Sequence, residues 1–137
     1  MSELRTVTVE REFSHPAEKL WRALTQPHLI EEWLMKNDFV PVPGHKFTLS
    51  REPKPGVKVV VDCEVIEVEP QKSLTYRWSA FGLDSVVTFT LTPTATGTVL
   101  RMDQSGFRPD QDHAFKGARA SWPQMLEALD EVLRKLE

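Results

Sequence analysis

Several features that would assign a function at once are scarce or missing. The single cysteine, Cys63, excludes an intramolecular disulfide and any zinc cluster built from cysteines. No stretch approaches the roughly 18 apolar residues that a membrane-spanning helix needs. Residues 1–10 do not have the pattern of a signal peptide. We therefore expect a soluble, cytoplasmic protein without a membrane span.

Charge and motif content exclude further classes. The 17 basic and 20 acidic residues give a net charge of −3, spread along the chain rather than grouped. A nucleic-acid-binding domain would carry a basic face, so no nucleic-acid partner is expected. The GxSxG, P-loop, GxGxxG and HExxH motifs are absent. The histidines lack metal-ligand spacing, so we expect no metal or cofactor, and we interpret them as exposed loop residues: His15, His28, His45 and His113.

The first part of the chain predicts one strand and two short helices. With 137 residues, 40% of them hydrophobic, the chain fits a single domain, residues 1–137, with one core. Residues 6–13 alternate between apolar and polar, which is typical of a half-buried strand. An apolar stripe from Ala17 to Leu24 predicts a short helix, and a second helix should begin at Pro27.

The middle of the chain, residues 46–107, has the period-two alternation of strands. The links between these strands are about four to five residues long, which favours an antiparallel meander. The first strand of this middle stretch, 46–51, is expected to end at the proline-rich turn 52–56. The valine-rich stretch 57–69 is long for one strand, so we expect a bend or bulge within it. A loop at 94–97 should join the last two strands.

The end of the chain predicts a long amphipathic helix that continues to Leu136. Pro123 interrupts its pattern: either the helix begins near Ser121, or an earlier turn is kinked at the proline. We interpret the acidic run 110–113 as a helix cap. The order of elements predicts an α+β fold, with a curved antiparallel sheet of about six strands covered by the long helix. A gap between such a sheet and helix is a common place for a small-molecule site.

Four segments resemble a known family. They are VEREFSHPAEKLWRALTQPHLIEEW, EVIEVEPQKSLTYRW, GTVLRMDQSGF and SWPQMLEALDEVL. They are similar to the activator of heat-shock-protein-90 ATPase homologue family, within the START-like (SRPBCC) helix-grip superfamily. The resemblance extends from about Thr6 to Leu136. It implies a helix-grip fold with a deep apolar cavity, and a ligand-binding or stress-related role without an assigned reaction. The family tends to have glycine where this chain has Cys63, which implies a changed pocket shape there.

Apolar side chains on the concave face of the sheet, on the long helix and near the second helix are the candidates for contact with a ligand. They are Cys63, Trp78, Phe89 and Met102 on the sheet, Trp122 and Met125 on the helix, and Trp33, Phe39 and Phe47 at one end. The alternative is that these residues only fill the core. Trp33 and Phe39 either gate the cavity or pin a loop to the core.

Two polar residues continue the apolar faces of their strands. Arg11 follows the alternation of the first strand, and Gln104 follows that of the last. In an apolar pocket the two would orient a carboxylate, phenol or carbonyl of a ligand. Alternatively, Arg11 forms an internal ion pair with Glu67 or Glu64, or keeps its guanidinium in water at the rim of the sheet.

The sequence is compatible with three functions. The favoured one is binding of a small hydrophobic or aromatic molecule by a monomer or weak dimer. The second is interaction with a chaperone, as the family's name implies. The third is catalysis in the cavity by a cyclase, lyase or hydrolase, which needs an interior acid or base. Only Tyr76, Asp62 and Glu64 are candidates for that role, and we assign no catalytic residue.

Overall fold

A computed structural model describes residues 4–136 and contains one sheet, two short helices and one long helix. The helices are α1 (Ala17–Thr25), α2 (Pro27–Trp33) and α3 (Asp112–Lys135), and a 3-10 turn at Pro109–Gln111 precedes α3. The strands are β1 (Arg5–Phe13), β2 (Lys36–Asn37), β3 (Lys46–Lys54), β4 (Val57–Glu69), β5 (Ser73–Ala80), β6 (Leu83–Pro93) and β7 (Thr98–Phe107). Within residues 4–136, no helix has both the length and the apolar character needed to cross a bilayer.

The seven strands form one antiparallel sheet in the order β1-β7-β6-β5-β4-β3-β2. The sequence predicts about six strands, and the structure adds the two-residue strand β2, which pairs with Leu49 and Ser50 of β3. So short a strand has no alternation for a sequence pattern to detect. The meander from β3 to β7 agrees with the prediction, as does the bulge in β4, where the register shifts between Val65 and Glu67.

One predicted boundary is wrong. Strand β3 continues through Pro53 to Lys54, because its register with β4 shifts between Arg51 and Lys54 and the proline occupies that irregular stretch. For the long helix, the structure decides between the two alternatives: α3 begins at Asp112 rather than near Ser121, so it has turns before Pro123 and the proline lies inside it. The early turns have few large apolar side chains, and the periodicity of the sequence is therefore weak there.

The core lies between the concave face of the sheet and α3. On this face of the sheet Val9 is half-buried, and the other apolar side chains that alternate with it are buried: Val7, Phe13, Trp78, Val87, Phe89, Leu100 and Met102. Leu126, Leu129 and Leu133 of α3 are fully buried against them. In its amino-terminal half, by contrast, α3 has no buried side chain before Trp122, and only Ala114, Phe115 and Ala118 are half-buried. This is the helix-grip arrangement that the sequence resemblance implies.

The turn between β5 and β6 has an unusual residue for its conformation. Phe81 and Gly82 form a two-residue loop with φ angles of 51° and 80°. Such loops favour asparagine or glycine, because a bulky side chain is strained at positive φ. The ring of Phe81 is 83% exposed, so burial in the core does not offset this strain.

Replacing Phe81 with asparagine should stabilise the protein. We expect Phe81→Asn to raise the free energy of unfolding by about 1 kcal/mol, because asparagine tolerates the left-handed region. Urea denaturation measures this change. Phe81→Val is the control, since it removes the ring but keeps the backbone penalty. Equal stability of the two variants would show that the turn is not strained.

Candidate functional site

A pocket of about 780 Å³ lies between the concave face of the sheet and the amino-terminal half of α3. This volume is within the range of small-molecule sites. Strands β3 to β7 supply Arg51, Val59, Val61, Trp78, Ala80, Leu83, Gln104 and Phe107, and the β5–β6 turn adds Phe81. The helical side supplies Trp33, Leu34, Met35, Gln111, His113, Ala114, Ala118, Ser121, Trp122, Gln124, Met125 and Ala128.

Three tryptophans hold the walls of the pocket in place. The rings of Trp78 and Trp122 are 5.6 Å apart at an interplanar angle of 55°, so they join the sheet to the helix. Trp122 also contacts the buried ring of Phe89 edge-on, at 5.9 Å. The indole of Trp33 donates a hydrogen bond to the carbonyl oxygen of Ala23, with an N–O distance of 2.8 Å. These contacts give the pocket aromatic walls of fixed orientation.

A buried chain of hydrogen bonds runs along the base of the pocket. Trp122 donates from Nε1 to Oε1 of Gln104 at 2.8 Å, and Gln104 donates from Nε2 to Oγ of Ser85 at 3.0 Å. Ser85 then donates to the carbonyl oxygen of Trp78 at 2.8 Å. Gln104 is only 3% exposed. Because an amide nitrogen carries two hydrogens, one donor of Gln104 remains after this chain is formed.

The structure brings together five of the residues predicted to contact a ligand. Trp33, Trp78, Gln104, Trp122 and Met125 line the pocket. The other predicted residues are outside its lining: Phe89 and Met102 are buried in the core, Phe39 and Phe47 contact each other at 5.0 Å in an aromatic cluster with Tyr76, and Cys63 is buried on β4. Trp33 and Phe39 are 5% and 3% exposed, which agrees with a role in pinning the loop rather than gating.

Arg11 is outside the pocket and forms an ion pair, although not with either predicted partner. Its Nη2 lies 3.5 Å from Oδ2 of Asp130 on α3, so Arg11 does not contact the pocket as predicted, and the alternative of an internal ion pair holds with a partner other than Glu64 or Glu67. Asp130 is buried and also pairs with Arg134 at 2.7 Å. The sequence could not predict this contact. Periodicity shows which face of a strand or helix a residue occupies, but not which residue of a distant element it contacts.

The buried thiol and phenol nearby are not suited to acid–base or nucleophilic chemistry at neutral pH. Burial raises the pKa of the Cys63 thiol to about 12 and the pKa of Tyr76 well above its ordinary value of 10. Tyr76, Asp62 and Glu64, the three candidates for an interior acid or base, do not line the pocket. Within residues 4–136, no three His, Cys, Asp or Glu side chains form a cluster that could hold a metal ion.

Sequence patterns missed several residues of the pocket mouth. Arg51 and Phe81 line it from the sheet, and Gln111 and His113 line it from the start of α3. Gln111 donates from Nε2 to the carbonyl oxygen of Gly82 at 3.1 Å, which joins the β5–β6 turn to the start of the helix. Two sequence signals point near these residues: the acidic run 110–113 indicates a helix start rather than a pocket, and the alternation of strand 46–51 places Arg51 on the face of Phe47.

His15 is less exposed than predicted. Its side chain is 16% exposed, with Nδ1 at 3.3 Å from Nζ of Lys19 and Nε2 at 3.9 Å from Oδ1 of Asp130. Because a lysine can only donate, the first contact requires an unprotonated Nδ1. Burial, followed by the charge of Lys19, lowers the pKa of His15 below 6.5, and Asp130 opposes this shift.

Removing Gln104 should destabilise the protein by leaving an indole N–H without a partner. We expect Gln104→Leu to lower the free energy of unfolding by about 1–3 kcal/mol. In a protein that already carries Trp122→Phe, Gln104→Leu should lower the free energy of unfolding by about 1 kcal/mol less, because phenylalanine has no N–H that needs a partner. Chemical denaturation of the four proteins measures this coupling. Additive effects would show that the hydrogen bond contributes nothing.

The environment of His15 should make stability depend on pH. Since its pKa is lower in the folded than in the unfolded protein, the unfolded chain binds the proton more strongly. Its contribution to stability is therefore present above pH 6.5 and is lost as the pH falls below that value. Denaturation between about pH 7.5 and 5 should show a smaller loss for His15→Gln than for the unmodified protein. The exposed His28, replaced by glutamine, is the control, and equal losses in the two variants would contradict this prediction.

Comparison with protein families gives a match over most of the chain. The family described as Activator of Hsp90 ATPase homolog 1-like protein matches residues 14–134. The comparison with curated proteins gives no match.

Solved structures include similar proteins of several bacteria. A Mesorhizobium loti protein is 60% identical, with a TM-score of 0.91 over 97% of this chain and 99% of that one. A Rhodobacter sphaeroides protein is 26% identical, with a TM-score of 0.86 over 98% of this chain and 100% of that one. DynU16, from the dynemicin biosynthetic locus, is 26% identical, with a TM-score of 0.81 over 94% of this chain and 47% of DynU16.

Proposed function

Because the chain belongs to the Activator of Hsp90 ATPase homolog 1-like family, in the START-like helix-grip superfamily, we propose that it binds a small hydrophobic or aromatic molecule. The observation that carries this proposal is the pocket of about 780 Å³ between the sheet and α3. Trp33, Trp78 and Trp122 line this pocket together with one buried amide, that of Gln104. Such a mixture of apolar walls and a few polar groups is typical of ligand sites.

The walls fit a molecule with a flat, apolar body. Trp78 and Trp122 offer two ring faces held by their contact with each other, and aromatic ligands pack well against such faces. Met35 and Met125 add flexible thioether side chains that adapt to the outline of a ligand. The remaining N–H of Gln104 would donate to a carbonyl or hydroxyl oxygen of the ligand, which fixes its orientation at the base of the pocket.

Binding is favoured over catalysis. The lining residues include no aspartate, glutamate, cysteine or tyrosine, and within residues 4–136 the lining serine, Ser121, has no hydrogen bond to a base that could activate it. His113 is the one histidine of the lining, and it lies at the exposed mouth. The relation to DynU16, a protein from a biosynthetic locus, supports a small molecule as the binding partner.

Interaction with a chaperone is the second candidate function. It is supported by the family itself and by the ring of Phe81, which is 83% exposed at a strained position where asparagine or glycine would be more stable. An exposed aromatic residue in such a place suits a contact with another protein.

A neutral aromatic probe and a pair of alanine variants test the binding proposal. Ala118 lines the pocket, whereas Ala120 lies two positions further along α3 and is exposed outside it. Ala118→Phe places a ring in the pocket, so we expect it to weaken binding of phenylnaphthylamine at least about tenfold. Ala120→Phe should leave the affinity within about twofold. Probe fluorescence measures the affinity, and NMR shift changes at Trp78 and Trp122 locate the site.

Two outcomes would refute the binding proposal. If phenylnaphthylamine and a panel of fatty acids, flavonoids and polyketides all fail to bind, the pocket is not a ligand site. The same conclusion follows if Ala118→Phe and Ala120→Phe bind the probe equally well. Titration with the ATPase domain of a heat-shock-protein-90 chaperone would then test the second candidate function.

A further inference from the structure

We propose that the ligand is an organic anion whose charged group binds to Arg51 at the pocket mouth. This inference rests on the proposed function and specifies the chemical class of the molecule. The ligand would be amphiphilic, with an apolar body between Trp78 and Trp122 and one oxyanion, such as a carboxylate or sulfonate, at the solvent-exposed end.

The first observation is the charge of the pocket lining. The chain carries 20 acidic residues and a net charge of −3, yet the lining contains no aspartate or glutamate. Its two residues that can carry charge, Arg51 and His113, are both of the basic type. The pocket of an acidic protein therefore carries the positive charge of Arg51 and no carboxylate in its lining, which favours an anionic ligand over a cationic one.

The second observation is that Arg51 is left without a partner. Six of the nine arginines form ion pairs within the described part of the chain, and Arg119 lies over the ring of Phe115. Among residues 4–136, no ion pair or side-chain hydrogen bond involves Arg51 or Arg77. Of these two, only Arg51 lines the pocket. A guanidinium binds carboxylate and similar oxyanions through two parallel N–H donors.

The backbone explains how a charged side chain reaches an apolar pocket. Arg51 pairs with Val59 of β4, and it is the last residue before the register shift that ends at Lys54. Leu49 and Val61 pair on the same face and are buried, so the alternation of the strands directs Arg51 to the concave side. Because Arg51 is itself exposed, an oxyanion bound to it stays partly in water and avoids the full penalty of desolvation.

Neighbouring carboxylates would restrict where the anion can bind. A separate groove between α2 and α3 is lined by three carboxylates and one cation, Lys135, so its lining is net negative; the carboxylates are Glu32, Glu127 and Glu131. It shares Gln124 and Ala128 with the pocket. Negative charge on the ligand is repelled from that side of the mouth, so Arg51 is the favoured site for the charged group.

Two probes with the same ring system test this inference. Anilinonaphthalene sulfonate carries one negative charge, and phenylnaphthylamine is its uncharged parent. We expect the unmodified protein to bind the sulfonate more tightly than the neutral probe. Arg51→Gln should weaken the sulfonate about fivefold and leave the neutral probe within about twofold. Salt at about 0.5 M should weaken the sulfonate in the unmodified protein and have a smaller effect in Arg51→Gln.

Arg77 provides the matched control. It is exposed on the other face of the sheet, lacks an ion pair in the described part of the chain, and does not line the pocket. Arg77→Gln removes the same charge and should change the affinity for neither probe. The inference is overturned if Arg51→Gln and Arg77→Gln weaken the sulfonate equally, or if neither does. That result leaves the proposed function intact when the neutral probe binds, whereas failure of both probes to bind refutes both proposals.

Discussion

The position of Trp122 is the constraint on which the sheet–helix arrangement depends. Its indole donates to Gln104 on β7 and its ring contacts Trp78 on β5 and Phe89 on β6, so one side chain joins α3 to three strands. The carboxyl-terminal half of α3 continues from this point with leucines that are fully buried. The amino-terminal half extends from it over smaller, half-buried residues, and the pocket lies beneath. The helix therefore both closes the core and covers the site.

Much of this fold was predictable, because its elements have clear periods. The alternation in 57–69 and the apolar stripe of α3 each identified an element, and the excess length of 57–69 indicated its bulge. The two-residue strand β2 was not predictable, and the start of α3 stayed open between two positions, because neither gives a sustained pattern. The end of β3 was also not predictable. Proline usually ends a strand, but at Pro53 the register shift removes the need for its backbone N–H in the ladder, so the strand continues.

The candidate site was predictable only in its apolar part. Trp78, Trp122 and Met125 line the pocket because they alternate or recur on faces that the sequence reveals. The polar residues depend on tertiary contacts instead. Arg11 is on the expected face of β1, yet Asp130 holds it away from the pocket, and no spacing in the sequence relates these two residues. Arg51 lies within the predicted strand 46–51, on the face of Phe47 and Leu49, but only its pairing with Val59 of β4 shows that this end of the face borders the pocket.

The proline inside α3 gives the two halves of this helix different resistance to local opening. Pro123 lacks an N–H, so the carbonyl of Arg119 has no partner in the helical ladder at the junction of the halves. Beyond it, opening must expose Leu126, Leu129 and Leu133, whereas opening of the turns before Trp122 uncovers only partly buried groups such as Ala114 and Ala118. Amide exchange should therefore be faster before the proline than after it. The part of α3 that covers the pocket can therefore open locally while the part that closes the core stays folded.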